Sequence, residues 1–180
     1  MIRKTIVIVF PVFCLFLLLL FPSLSGATNN LDVVINEIAW MGTEVSYNDE
    51  WIELYNNTNS LIDLGNWKLK AQDGTPEIKL TGSILQKGFF LLERADDETI
   101  QNITADQIYK GALGNSGENL ELIDNSGNVI DEVDSSSGWF AGDNTTKQTM
   151  ERQGPGRSGN DSDNWVTSQE PGGTPKTQNS

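Results

Sequence analysis

Short apolar stretches alternate with clusters of Gly, Asn, Asp and Ser along most of the chain after residue 27. Between Gly65 and Gln72, three apolar residues alternate with two lysines, the period of two expected of a strand with one buried and one solvated face. Phe89–Leu92 is apolar at every position, which predicts a central strand covered on both faces. About seven such segments, without a long amphipathic helix, predict an all-β fold, an antiparallel β-sandwich of the immunoglobulin-like kind.

Turn residues predict how some of these segments are joined. Asn119–Asp124 and Asn128–Asp134 flank Asn125-Ser126-Gly127, which predicts a hairpin because Asn and Gly tolerate the positive φ of a tight turn. Within the sandwich region, a helical pattern is found in Arg94–Lys110, where Thr104–Gln107 matches a capping box. We therefore expect a short turn of helix there.

The first 27 residues have the pattern of an export signal. Arg3 and Lys4 precede an apolar run from Ile6 to Phe21, and small residues end the segment at Ala27. The run is shorter than the ~20 residues of a membrane-spanning helix, and a proline interrupts it. The sequence predicts a signal helix over 1–27 that is removed on secretion; contact with a membrane is expected only if this segment stays uncleaved.

The composition divides the rest of the chain into three parts. Residues 28–152 hold the predicted strands of the sandwich. From Gln153 onward the chain is rich in Gly, Pro, Asn, Asp and Ser, with Trp165 as a large apolar anchor. This composition predicts an irregular arm packed on the sandwich over 153–175 and a disordered tail over 176–180.

Charge and residue content exclude several functions. Removal of residues 1–27 takes away two basic residues and no acidic one, which leaves 10 Lys and Arg against 25 Asp and Glu. A chain this acidic lacks the basic stripe that nucleic acid requires, so no nucleic-acid partner is expected. The sequence contains no histidine, and its one cysteine, Cys14, lies in the predicted signal. Ser-His-Asp triads, Cys-His pairs, His-ligated zinc and internal disulfides of the mature chain are thereby excluded.

Carboxylates remain as candidate catalytic groups. Glu37, Glu50, Glu53 and Asp131 could supply an acid and a base, as in sugar hydrolysis. Acidic residues in the strands of a sandwich more commonly face solvent or accept hydrogen bonds from loop amides. The sequence therefore predicts a protein that is not an enzyme.

Oxygen-rich segments suggest a second kind of chemistry, calcium binding. Asp49 and Glu50 lie in one such segment, and Asp161 and Asp163 in another, and calcium prefers carboxylate and amide oxygens. Neither segment completes the twelve-position calcium loop, and Asn and Asp are also the common residues of turns. No cofactor is predicted, and calcium at these residues stays an open alternative.

Aromatic residues are the candidate contact residues. Trp139 and Phe140 lie between glycines in a predicted loop, and exposed aromatic side chains are enriched at recognition surfaces. The alternative is that this loop closes one end of the sandwich. Trp51 shares its strand with Ile52 and Leu54, so it either packs on a second face or is exposed.

Several motifs occur in an order that resembles the lamin tail domain. They are Val34–Ile38, Asp49–Asn56, Ile62–Leu69, Gly82–Leu85, Gly88–Leu92, Leu113–Leu122, Gly127–Asp131, Met150–Arg152, Asn164-Trp165 and Glu170–Pro175. The resemblance covers about Leu31 to Pro175 and implies an immunoglobulin-like β-sandwich. With a signal peptide and no heptad repeat, the chain is similar to the bacterial exported members of the family rather than to the nuclear filament proteins.

The resemblance implies a function as an exported interaction module, secreted or at the cell surface, whose partner is an unidentified protein or cell-surface component. Two alternatives use the same residues. One is a calcium-dependent adhesin or carbohydrate-binding sandwich. The other is an accessory domain that works with a separately encoded hydrolase.

Overall fold

The computed structural model describes residues 28–180, so the predicted signal helix over 1–27 lies outside the described residues. The regular secondary structure of this part of the chain consists of short β-strands joined by loops, with one 3-10 turn, Ser162–Asn164. No helix among these residues is long and apolar enough to cross a membrane. The strands are β1 (Val33–Ala39), β2 (Trp51–Asn56), β3 (Ile62–Asp63), β4 (Lys68–Ala71), β5 (Glu77–Lys79), β6 (Ser83–Ile84), β7 (Phe89–Arg94), β8 (Gln107–Tyr109), β9 (Asn119–Ile123), β10 (Val129–Asp134), β11 (Gln148–Arg152) and β12 (Trp165–Pro171).

The strands form two main sheets and a short ribbon. The larger sheet has six strands in the order β12-β11-β1-β2-β7-β8, and the second has four in the order β10-β9-β4-β5. Strands β3 and β6 pair as a separate ribbon. The pairing is antiparallel except between β7 and β8, which run parallel. The predicted all-β, immunoglobulin-like sandwich is confirmed.

Apolar side chains from both sheets form one core. In β4, Leu69 and Ala71 are buried while Lys68 is exposed, which confirms the predicted alternation. Burial of these apolar groups stabilises the fold because it removes their surface from water. The six-stranded sheet contributes a row of buried side chains to the same core, including Ile35, Ile38, Ile52, Leu54, Phe90, Leu92 and Met150.

Two further predictions about local structure are confirmed. Phe90, Leu91 and Leu92 of β7 are buried, so both faces of this strand are covered at its centre. Strands β9 and β10 form the predicted hairpin, with Leu122 opposite Asp131. The turn between them contains Gly127, which has a φ of +88°.

The predicted helix between Arg94 and Lys110 is wrong. That stretch contains a loop followed by β8, which pairs with β7. The carboxylate of Asp106, placed in the predicted capping box, accepts a hydrogen bond from the Leu91 amide at 2.7 Å. Pairing with a long neighbouring strand therefore overrides a weak local capping signal.

The C-terminal arm is more regular than predicted. Seven of its residues form β12, which pairs with β11 and widens the six-stranded sheet. Residues 176–180, predicted to be disordered, lie against the same sheet, where Ser180 and Asn179 make hydrogen bonds to Glu151 and Asn36. Polar residues remain ordered here because buried acceptors on the sheet match their donors, which composition alone does not reveal.

Candidate functional site

Five loops meet at one end of the sandwich, which we call the loop end. Strand β1 finishes at this end, and Ala39 is paired there with Trp51 at the start of β2. Strand β11 also starts there, since Met150 is paired with Ile38. The loops that meet at this end are residues 40–50, 72–76, 95–106, 110–118 and 135–147.

The β1–β2 loop, residues 40–50, is held by hydrogen bonds within itself. The hydroxyl of Thr43 donates to Asp49 Oδ2 at 2.6 Å and accepts the Val45 and Ser46 amides at 3.2 Å. The Thr43 amide donates to the carbonyl of Ser46 at 2.9 Å. These bonds fix the backbone of the loop on both sides of its tip.

The tip of this loop carries two exposed apolar side chains. Val45 is 91% exposed and Tyr47 is 77% exposed. The loop holds Val45 and Tyr47 in water, so their apolar surface is not stabilised by burial in the folded chain. Contact with another molecule would bury this surface. Neither residue was predicted from the sequence as a contact residue; the local signal is the apolar-polar-apolar pattern of Val45-Ser46-Tyr47 in a polar segment.

Trp139 and Phe140 also lie at the loop end, but they are half-buried and pack on the core. The indole of Trp139 is stacked on that of Trp40, with centroids 5.9 Å apart and planes 6° apart. Its Nε1–H donates to the carbonyl of Gly114 at 2.8 Å. Trp139 therefore closes this end of the sandwich and keeps part of its surface accessible beside the β1–β2 loop.

Trp51 does not lie on an accessible surface. Its side chain is 1% exposed and belongs to the hydrophobic core. The prediction of Trp51 as a contact residue is therefore corrected: a large indole near the start of a central strand gains more from burial than from exposure.

The first pair of predicted metal ligands, Asp49 and Glu50, is engaged in other contacts. Asp49 accepts the bond from Thr43, as described above. Glu50 is buried and accepts hydrogen bonds from Arg94 Nη1 at 3.0 Å and the Leu113 amide at 2.8 Å. Burial raises the pKa of Glu50, although the Leu113 amide and the Arg94 guanidinium oppose that shift.

The second pair, Asp161 and Asp163, belongs to the C-terminal arm. Asp161 caps the 3-10 turn through the Asp163 amide and forms an ion pair with Arg157 at 2.6 Å. The Arg157 guanidinium lowers the pKa of Asp161. Within residues 28–180, no group of three or more acidic or cysteine side chains is arranged to hold a metal ion.

Two of the candidate catalytic carboxylates, Glu37 and Glu53, face away from the core of the sandwich and lie beneath the C-terminal residues. Glu37 accepts hydrogen bonds from the Thr149 hydroxyl and the Thr174 amide at 2.5 and 3.0 Å. Glu53 accepts the Lys176 amide at 2.6 Å. Burial raises the pKa of Glu37 to about 7 and that of Glu53 to about 8. Both groups are covered by protein, so their arrangement does not form an open cleft.

Asp131, the remaining candidate, is buried between the sheets and is bound to Arg152. It borders a surface depression of about 320 Å³ that Leu31, Val129 and Asn160 also line. A second depression, of about 410 Å³, lies in the loop between β7 and β8 and is lined by Asp97, Asn102 and Thr104 among others. Neither depression is lined by Glu37, Glu50 or Glu53, so Asp131 is the one candidate acid that borders either of these two depressions.

The fold defines a class of protein, the immunoglobulin-like β-sandwich with loops gathered at its ends. The family model of the Lamin Tail Domain matches residues 26–137, more than half of the chain. The chain belongs to the lamin tail domain family. No curated protein shows a significant match to it.

The family match describes the general nature of the domain and covers only part of the sandwich. The family consists of non-catalytic immunoglobulin-like domains, and its fold is that of an interaction module in general. The matched residues end before β11 and β12, which complete the six-stranded sheet, and before the C-terminal residues that cover Glu37 and Glu53.

Proposed function

We propose that the protein is exported and works as a non-catalytic module that binds a protein at or near the cell surface through its loop end. The observation that carries this proposal is the β1–β2 loop, which is locked by Thr43 and holds Val45 and Tyr47 in water. Trp139 extends the same surface with a half-buried indole. Aromatic and apolar anchors of this kind dominate the energy of protein interfaces.

The N-terminal sequence supports export, because residues 1–27 follow the order of a signal peptide. Expression of the full chain in a bacterial host tests this proposal. We expect mass spectrometry of the released protein to give an N-terminus close to Thr28; recovery of only the uncleaved chain in the cytoplasm would contradict export.

The loop-end contact is tested by site-specific photo-crosslinking in the cells that express the protein. A photoreactive phenylalanine replaces Tyr47 in one variant and Leu61 in a second. Leu61 is the matched control because it is also an exposed apolar residue, at 58%, but it follows β2 at the opposite end of the sandwich.

We expect position 47 to give a discrete crosslinked product that position 61 does not give. The double variant Val45→Ser/Tyr47→Ser should no longer bind the partner that crosslinks to position 47, whereas Leu61→Ser/Leu85→Ser should still bind it. Equal crosslinking at the two positions, or a loss of partner binding only with the Leu61 and Leu85 changes, would place the contact elsewhere.

A further inference from the structure

Three glutamates stand side by side on the outer face of the six-stranded sheet. Glu37 of β1 is directly opposite Glu151 of β11 on one side and Glu53 of β2 on the other. All three side chains are 0% exposed. Like charges at opposed positions of neighbouring strands are destabilising, and burial removes the water that would screen them.

The C-terminal residues 173–180, which we call the strap, cover this row. The Thr174 amide donates to Glu37 and its hydroxyl donates to Glu151 at 2.8 Å. The Lys176 amide donates to Glu53 at 2.6 Å, and the Ser180 amide donates to Glu151 at 2.9 Å. Each of the three carboxylates thus accepts at least one backbone amide from the strap.

The strap is attached to the sheet through two glycines. Gly172 and Gly173 follow β12 and have φ values of +79° and +65°, which turn the chain back over the sheet. A Cβ on Gly173 would collide with Glu37 Oε1, whereas one on Gly172 would meet nothing within 4 Å. The contact between strap and sheet therefore depends on a bare backbone at Gly173.

Few opposite charges compensate the row. Opposite Glu53 on β7 is Leu91, which carries no charge. The buried Glu93 of β7 lies on the same face of the sheet, two residues along the strand from Leu91. The Lys176 ammonium on the strap lies beside the row and binds Asp106 at 2.8 Å. The ammonium nearest to the row is thus already paired with a carboxylate outside it.

We propose that the strap is a pH-sensitive cover, which lies closed on the sheet while Glu37 and Glu53 carry protons and lifts from it when they ionise. Closing the strap takes the carboxyl groups of Glu37 and Glu53 out of water, which favours their neutral forms. The strap amides that donate to these two groups oppose this effect of burial but are weaker than it. Lifting the strap returns the two carboxyl groups to water, where they ionise at their ordinary pKa. The direction agrees with the raised pKa values of Glu37 and Glu53 given above. An open strap uncovers a strip of the sheet that contains Asn36 and the three glutamates.

The sign of the effect follows from proton linkage. Above a pH of about 4.5, Glu37 and Glu53 are ionised in the open form but still protonated in the closed form. The closed form is therefore less favoured as the pH rises toward 7 and 8, the pKa values of Glu37 and Glu53 beneath the strap. Each proton released on opening changes the closing equilibrium about 10-fold per pH unit.

Amide hydrogen exchange of the mature chain, corrected for the intrinsic pH dependence of exchange, tests the proposal. We expect protection of the Thr174, Lys176 and Ser180 amides to fall at least about 10-fold between pH 6 and pH 8.5, while sheet amides of β4 and β9 stay protected. Glu37→Gln/Glu53→Gln should remove this pH dependence and keep the strap closed. Glu121→Gln is the matched control, since Glu121 forms an ion pair with Lys70 on the other sheet, and it should keep the dependence.

Gly173→Ala provides a second variant should the double glutamine variant fail to fold. It should expose the strap amides at every pH and leave the β4 and β9 amides protected. The proposal would be overturned if protection of the strap amides did not change with pH. It would also be overturned if that protection changed equally in the wild type and a folded glutamine variant, or if the strap amides stayed protected in Gly173→Ala.

Discussion

Asp131 of β10 and Arg152 of β11 form a two-bond ion pair that joins the two sheets of the sandwich. Arg152 Nη1 lies 2.5 Å from Asp131 Oδ2, and Nη2 lies 3.1 Å from Oδ1. The Ile35 amide of β1 donates to the same carboxylate, and the Ile35 carbonyl accepts from Arg152, both at 2.8 Å. The guanidinium also lies 5.5 Å from the centre of the Trp165 ring. One arginine thus connects three strands and the C-terminal arm.

Removing one partner of this pair should destabilise the protein strongly. Both side chains are almost fully buried, so Arg152→Met leaves the Asp131 carboxylate in the interior without its counter-ion. We expect a loss of about 3–5 kcal/mol of unfolding free energy, measured by urea denaturation of the mature chain.

The matched control for this prediction is Arg157→Ala. Arg157 also pairs with an aspartate, Asp161, but both side chains are more than 40% exposed. An exposed pair contributes about 0–1 kcal/mol, so the control should be close to the wild type. Equal effects of the two substitutions would mean that the buried pair adds nothing beyond a surface pair.

The parts of the fold that depend on local periodicity were predictable from the sequence. The alternation around Leu69 and the Asn-Ser-Gly turn before β10 are properties of neighbouring residues, and both appear as predicted. Strand β12 and the strap were not predictable in this way, because each is stabilised by partners far away in the sequence. Thr174, for example, is held by Glu37 across 137 positions.

Trp139→Ala should destabilise the protein measurably. The substitution removes the stacking on Trp40 and the hydrogen bond to Gly114. Because the indole is half-buried, we expect a loss of about 2 kcal/mol, less than the 3–5 kcal/mol of a fully buried tryptophan. Trp139→Phe keeps an aromatic ring and should lose only about 1 kcal/mol. Unchanged stability in Trp139→Ala would show that the ring does not close the end of the sandwich and is free for contact.

The candidate site was only partly predictable. Trp139 was placed in a loop because its flanking glycines mark one, and its role as a contact residue stays a prediction. Trp51 was misassigned because one strand pattern fits both burial and exposure. Val45 and Tyr47 were missed because their exposure follows from hydrogen bonds around Thr43, and such bonds leave no periodic pattern. The strap escaped prediction for the same reason.

Calcium should have little effect on the stability of the mature chain. Asp49 and Glu50 are bound to Thr43, Arg94 and Leu113, and Asp161 is bound to Arg157. A ligand at 100 times its dissociation constant would add about 2.7 kcal/mol, which a melting curve resolves readily. We expect equal melting temperatures in calcium and in chelator. A rise with calcium that magnesium does not reproduce, and that Asp161→Asn abolishes, would establish a calcium site, which the adhesin alternative requires.

Gly42→Ala should disturb the β1–β2 loop and with it the proposed contact. Gly42 has a φ of +68°, and a Cβ there would lie 2.6 Å from the Ser46 carbonyl and 2.8 Å from the Tyr47 Cα. The backbone must move, so we expect a loss of about 2–3 kcal/mol. Gly74→Ala is the matched control, since Gly74 also has a positive φ, +94°, but a Cβ would meet nothing within 4 Å. It should cost only about 1 kcal/mol.

The two glycine variants also separate stability from contact. Both weaken a turn at the loop end, but only Gly42→Ala displaces the segment that carries Val45 and Tyr47. Crosslinking from position 47 should therefore fall in the Gly42→Ala background and persist in the Gly74→Ala background, at a temperature where both variants are folded. Crosslinking that survives in Gly42→Ala would mean that the fixed geometry of this loop is not what the partner recognises. In that case the half-buried surface of Trp139 would become the better candidate for the contact at this end of the sandwich.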